Sequence, residues 1–157
     1  RDSYNIPLII NDSLEVATAV DSWGIHVGQA DISPSKIKKN TQALKHIGWS
    51  LENIKQLDDD EMKYVHHLGV SPIFSTPTKT NTITEWGFDG LKFLKTKTSK
   101  PLIAIGGINE SNIAKIIQAG ADSVAIVSAI CGSKNPKKST QILKQIINNN
   151  EYHAKTL

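Results

Sequence analysis

The groups best equipped for chemistry in this chain are carboxylates, hydroxyls and one lysine that each follow a short apolar run. Asn11-Asp12 comes directly after Pro7-Leu8-Ile9-Ile10, and Asp31 ends the segment Gly28-Gln29-Ala30-Asp31 that follows Gly24-Ile25-His26-Val27. If those runs are neighbouring parallel strands, about 4.8 Å apart, carboxylates just beyond their ends can reach one cation. Mg²⁺ commonly takes one or two carboxylates and fills its octahedron with water and phosphate oxygens, so Asp12 and Asp31 suit an ion that also holds a pyrophosphate. A plainer role is open to the same pair, with Asp12 capping a helix from Leu14 and Asp31 opening a turn.

A second group handles anions. Pro72-Ile73-Phe74-Ser75-Thr76-Pro77-Thr78-Lys79 ends in hydroxyls and an ammonium. Threonine hydroxyls donate to phosphate oxygens and lysine supplies a point charge, although the same residues also make an ordinary solvated turn. Gly106-Gly107 follows the run Leu102 to Ile105, and Ser128 follows Ser123 to Val127. Glycine permits close backbone approach, and amides free at a helix N-terminus bind phosphate, the alternative being that these glycines serve only the turn. Arg1 is the sole arginine, so a bidentate guanidinium clamp inside such a site is nearly excluded and its cation must be lysine.

Other candidates carry less. His26, His66 and His67 lack an i, i+4 partner or a cysteine and read as core or strand-face residues. Asp58-Asp59-Asp60-Glu61 reads as a solvated helix end. Trp49 and Trp86 could flank a heteroaromatic ring, and barrel packing explains Trp49 equally well.

The elements that must position these groups alternate along the chain. Apolar, β-branched runs at 7–10, 24–27, 47–50, 67–70, 101–105 and 123–127 are separated by helical patterns, the arrangement of a parallel sheet covered by helices. Ser33 before Pro34, Asn109 ahead of Ile113, Ile116 and Ile117, and Asn135 before Pro136 start helices, and Gly120 stops one. Such folds place function in the loops after the carboxyl ends of the strands, which is where Asp12, Asp31, Lys79, Gly107 and Ser128 fall. Six units are visible, whereas a closed barrel of this kind needs eight, so two are expected to precede Arg1; an open doubly wound sheet is the alternative.

Composition sets the limits. The chain has 157 residues, 39% hydrophobic and 21% charged, enough for a real core. Its net charge of +3 is spread over scattered lysines and aromatics are only 6%, which argues against a nucleic-acid surface. No long apolar run or leader pattern suggests a membrane, so a cytoplasmic protein is expected. With Cys131 alone, neither an internal disulfide nor a cysteine-based metal knuckle can form.

Taken in order, Asn11-Asp12, His26-Val27-Gly28-Gln29-Ala30-Asp31, the segment Pro72 to Lys79, Ile105-Gly106-Gly107-Ile108 and Val127-Ser128-Ala129-Ile130 resemble the thiamine-phosphate synthase family over nearly the whole chain. The resemblance implies an α/β fold, a (β/α)8 TIM barrel with about six of eight units present. Residues 1–150 would form a single barrel domain lacking its first two units, and 151–157 a polar tail. It implies a transferase that joins a hydroxymethylpyrimidine diphosphate to thiazole phosphate with Mg²⁺, releasing pyrophosphate, and a possible homo-oligomer.

Carried over residue by residue, Asp12 and Asp31 would hold Mg²⁺. Asn11 and Lys79 would bind pyrophosphate, and Ser50 would sit near the pyrimidine and the pyrophosphate, which makes Lys79 and Ser50 the expected catalytic pair. Thr76, Thr78, Gly107, Val127 and Ser128 would hold the thiazole phosphate. The family's Gln-x-Arg-x-Lys motif would fall before Arg1. Ser13 and Ser71 depart from the family's usual residues, and Lys63 to His67 aligns poorly with it. A thiazole tautomerase of similar fold, which needs no Mg²⁺, and a non-catalytic fragment with exposed sheet edges are the competing expectations.

Overall fold

The computed structural model describes residues 3–75 and 85–154, with side chains described through 150. The chain divides into two compact units, Arg1–Gly69 and Val70–Leu157.

The first unit contains strands β1 (Ile9–Asn11), β2 (Gly24–Val27) and β3 (His46–Leu51), with helices α1 (Leu14–Ala19) and α2 (Pro34–Asn40) in the two crossovers. The strands pair in parallel in chain order, Asn11 opposite His26 and Val27 opposite Trp49. A parallel pair requires a crossover of a dozen or more residues, and each amphipathic helix supplies it while covering one sheet face. Ala17, Ile37, Ile25, Val27, Ile47 and Leu51 are almost completely removed from water and make this unit's core. Burial of each larger side chain contributes about 1.5–3 kcal/mol, which is what holds the strand ends in register.

Ser13, not Asp12, caps α1: its Oγ accepts from the Val16 amide at 3.2 Å, while Asp12 takes a left-handed backbone with φ of 66°. Ser33 stands before Pro34 as expected but makes no capping bond with the helix backbone. Glu61 supplies that function, accepting from the Ser35 amide and hydroxyl, each at 2.6 Å. Asp58 to Asp60 are exposed at a helix end, as expected, and only Glu61 is drawn into packing. The acidic stretch lies in and between two 3₁₀ helices, Ile54–Asp58 and Asp60–Tyr64, with Asp59 capping the second.

Strand β4 (His67–Val70) carries the boundary between the units. The His66 amide donates to the Ile47 carbonyl at 2.8 Å, which guides the chain into β4 beside β3.

The second unit contains α3 (Gly87–Lys97), β5 (Leu102–Ile105), α4 (Ile113–Gln118), β6 (Ser123–Ala125), α5 (Ser128–Cys131) and α6 (Pro136–Ala154). Strands β5 and β6 pair in parallel, Ile105 opposite Ala125. Ile113, Ile116 and Ile117 form the buried face of α4, as their spacing predicts, and Gly120 ends that helix with φ of 107°. Asn135 caps α6 by accepting from the Lys138 amide at 3.0 Å. Asp122 accepts the Leu102 amide and pairs with Lys95 at 2.7 Å, which anchors the start of β5 to α3. Helix α6 continues past the expected boundary at residue 150, through Ala154. Among the described residues no helix is long and apolar enough to cross a membrane.

Candidate functional site

In the first unit the three strands deliver their chemistry to one edge. Asn11 and Asp12 leave β1, Gly28 to Asp31 leaves β2, and Ser50 lies at the end of β3. Because the strands are parallel and in chain order, these are three successive carboxyl-terminal ends. Asn11, Asp12 and Asp31 are exposed, and Ser50 is half-buried.

Hydrogen bonds shape this edge. The Asp12 amide donates to the His26 carbonyl at 2.8 Å, which fixes the departure of the chain from β1. Asp31 Oδ2 accepts from the Gly28 amide at 2.7 Å and closes the turn after β2, so the turn-forming reading of Asp31 holds. Gln29 Nε2 donates to the Ser50 carbonyl at 2.6 Å and ties that turn to the end of β3. The sequence motif contains Gln29, but its type alone gave it no role.

Behind this edge runs a row of rings. Ser50 Oγ lies 3.1 Å from His26 Nε2, His26 Nδ1 lies 3.1 Å from His67 Nε2, and His67 Nδ1 lies 2.7 Å from His46 Nε2. His46 stacks on Trp23 with ring centroids 4.4 Å apart. Strand alternation places His46, Gly48 and Ser50 on one face of β3, and Gly48 is the gap that admits the rings: a side chain there would collide with both His26 and His67. Burial is the main cause that lowers His67 to about 4, with the charges of His26, His46 and His66 adding to it, and burial followed by His66 lowers His46 as well. His66 is outside the hydrogen-bonded row, although its ring lies 5.1 Å from that of His46; its Nδ1 accepts from the Ile47 amide at 3.1 Å. His26 and His67 are strand-face residues, as expected, but they are joined to a candidate site residue, whereas His66 is exposed just before β4. The signal available in the sequence was the period-two spacing of 46, 48 and 50.

In the second unit Gly106 and Gly107 turn with φ of 99° and 65° after β5, a conformation that side chains resist. Their backbone lies against the loop after β4: the Ile73 amide donates to the Ile105 carbonyl at 2.8 Å and the Phe74 amide to the Gly106 carbonyl at 3.3 Å. Asn112 Nδ2 donates to the Gly107 carbonyl at 2.9 Å and holds the turn against the start of α4. Val127, 55% exposed, and the exposed Ser128 open α5 after β6. Thr76, Thr78 and Lys79 lie outside the described residues. Trp49 is only 4% exposed, which assigns it to packing. Trp86 Nε1 is buried and has no hydrogen-bond partner among the described residues.

The family profile described as thiamine monophosphate synthase matches residues 1–130. The chain is 45% identical over 139 residues to a thiamine-phosphate synthase of Vibrio campbellii, covering 88% of this chain and 68% of that protein. It is 41% identical over 144 residues to one of Albidiferax ferrireducens, covering 92% of this chain and 66% of the relative. The chain thus spans about two thirds of the length of these relatives. A thiamine phosphate pyrophosphorylase structure from Pyrococcus furiosus superimposes with a TM-score of 0.84 at 28% identity, covering 95% of this chain and 71% of that one. A match across this much of the chain, with the motif residues at successive strand ends, places it in the thiamine-phosphate synthase family, transferases of thiamine biosynthesis.

Proposed function

We propose that this chain supplies the strand-end chemistry for joining 4-amino-2-methyl-5-hydroxymethylpyrimidine diphosphate to thiazole phosphate, giving thiamine phosphate and pyrophosphate. The observation that carries the reading is the delivery of Asn11-Asp12, Gly28 to Asp31 and Ser50 to successive carboxyl ends of three parallel strands. A dissociative course suits these residues. The carbon–oxygen bond to pyrophosphate breaks with its electron pair leaving on oxygen, and the thiazole nitrogen then forms the new carbon–nitrogen bond. No strong base is needed.

The donor set fits Mg²⁺. Asp12 and Asp31 offer exposed carboxylate oxygens after neighbouring strands, Asp31 Oδ2 also accepting from the Gly28 amide. Bound there with water and phosphate oxygens, the ion would neutralise charge on the leaving group. Asn11 and Lys79 would bind the pyrophosphate, Ser50 would hold it beside the pyrimidine, and Thr76, Thr78, Gly107, Val127 and Ser128 would take the thiazole phosphate. The closed eight-unit barrel, assembly into a homo-oligomer and a cytoplasmic location belong to the same reading.

The test is pyrophosphate release from the two substrates by the purified protein. Release that depends on Mg²⁺ and on both substrates is expected. No release would overturn the reading, in favour of the tautomerase if the protein instead isomerises the thiazole and does so in chelator; pyrophosphate release unchanged in chelator would remove Mg²⁺ from it.

A further inference from the structure

The row Ser50, His26, His67 and His46 is a chain of three hydrogen bonds through three imidazoles. A neutral imidazole has one N–H and one bare nitrogen, so a ring that donates at one nitrogen must accept at the other. Such a chain has two self-consistent arrangements. In one, His46 Nε2 donates to His67 Nδ1, His67 Nε2 donates to His26 Nδ1, and His26 Nε2 donates to Ser50 Oγ. In the other every bond is reversed and the Ser50 hydroxyl spends its proton on His26. The choice at Ser50 is therefore coupled to the far end of the row, at His46.

Rings kept neutral are the condition for this coupling, and burial favours it at the central ring: His67 is 8% exposed and is lowered to about 4, with His46 lowered in the same direction. The rings are also held in place. Gly48 leaves room for the His26 and His67 pair, and Trp23 stacks on the outer ring, His46. A ligand rich in anionic oxygens accepts hydrogen bonds and donates none. For Ser50 to serve it, the hydroxyl must keep its proton for the ligand and accept from His26.

We propose that His46 and His67 are positioning residues for Ser50, setting the row in the direction that points every N–H toward Ser50 and leaves its hydroxyl free to donate to a diphosphate. This rests on the reading that Ser50 contacts the pyrophosphate end of the donor substrate. In the proposed direction all three histidines carry their proton on Nε2, the form that a free histidine side chain also favours.

Two measurements test it. Histidine-selective nitrogen-15 labelling with long-range proton–nitrogen correlation, on the protein at neutral pH, should show His26, His46 and His67 all as Nε2–H forms. Nδ1–H forms, or a mixture at any of the three, would overturn the proposal. In steady-state assays of pyrophosphate release, His67→Phe keeps a flat ring but removes both nitrogens. It should lower kcat/KM for the pyrimidine diphosphate roughly 10- to 100-fold, the range for a hydrogen bond to a charged group. His67→Gln, which can still donate toward His26, should recover part of that loss.

Because the row acts through one hydroxyl, Ser50→Ala combined with His67→Phe should cost no more than Ser50→Ala alone. Additive losses would assign His67 a merely structural role and overturn the positioning claim. If Ser50→Ala leaves kcat/KM unchanged, the assignment of Ser50 to the substrate fails instead, and the positioning claim falls with it. The nitrogen correlations would still report the direction of the row.

Discussion

Gln29 Nε2 donates to the Ser50 carbonyl at 2.6 Å, a bond that crosses from the turn after β2 to the end of β3. The Gly28 to Asp31 turn carries one proposed Mg²⁺ ligand, and Ser50 carries the hydroxyl proposed to meet the pyrophosphate. One side-chain amide thus sets the spacing between two parts of the donor subsite. Asp31 holds the other end of the turn through the Gly28 amide, so the turn is braced at both sides.

Gln29→Ala removes the cross-strand brace without touching the core, since Gln29 is exposed. The expected outcome is a loss of about tenfold in kcat/KM, in line with misplacing a positioned group, with a melting temperature close to wild type. Paired steady-state and thermal-melt measurements check this.

Asp31→Asn keeps an acceptor for the Gly28 amide but halves the carboxylate charge proposed for the ion. Activity should then require a higher Mg²⁺ concentration, while the fold is retained. A Mg²⁺ titration of pyrophosphate release measures the displacement, and an unchanged midpoint would remove Asp31 from the ligand set.

Gly107→Ala meets two penalties. The backbone there has φ of 65°, and the new methyl would lie 2.8 Å from Phe74 Cβ. Strain and overpacking together should cost about 1–3 kcal/mol, read as a lower urea midpoint at unchanged slope. The KM for thiazole phosphate should rise as well, because the turn proposed to hold that phosphate moves.

The buried histidine row makes stability depend on pH. His67 titrates near 4 in the fold and at an ordinary 6.5 when unfolded, so between those values the unfolded chain binds more protons. Stability is therefore full above about pH 6.5 and falls as the pH drops toward 4, by at most about 3 kcal/mol from this ring. His46, also lowered, adds in the same direction. Urea denaturation at a series of pH values should show this slope, and His67→Phe should flatten it.

Much of the molecule was legible in the residue order. The spacing of Ile113, Ile116 and Ile117 fixes the buried face of α4, and Gly120 and Asn135 mark helix ends, because these signals act within a turn or two of backbone. The six strands among the described residues also declare themselves as short β-branched runs. Once the strands are parallel, the residues at and just past their ends must share an edge, so Asn11, Asp12 and Asp31 follow from sequence order, whereas Ser50 entered only through the family resemblance.

Contacts between distant segments were not legible in this way. Glu61 rather than Ser33 completes the start of α2, a choice made by packing across 26 positions of chain. His26, His46 and His67 each look like isolated strand residues until β2, β3 and β4 bring them side by side over Gly48. The sequence by itself determined which groups stand at the strand ends, since that needs only local periodicity. Only tertiary structure decided which rings touch, because a hydrogen bond between strands depends on register and on the space that a glycine leaves, and neither is written in the spacing of any one segment.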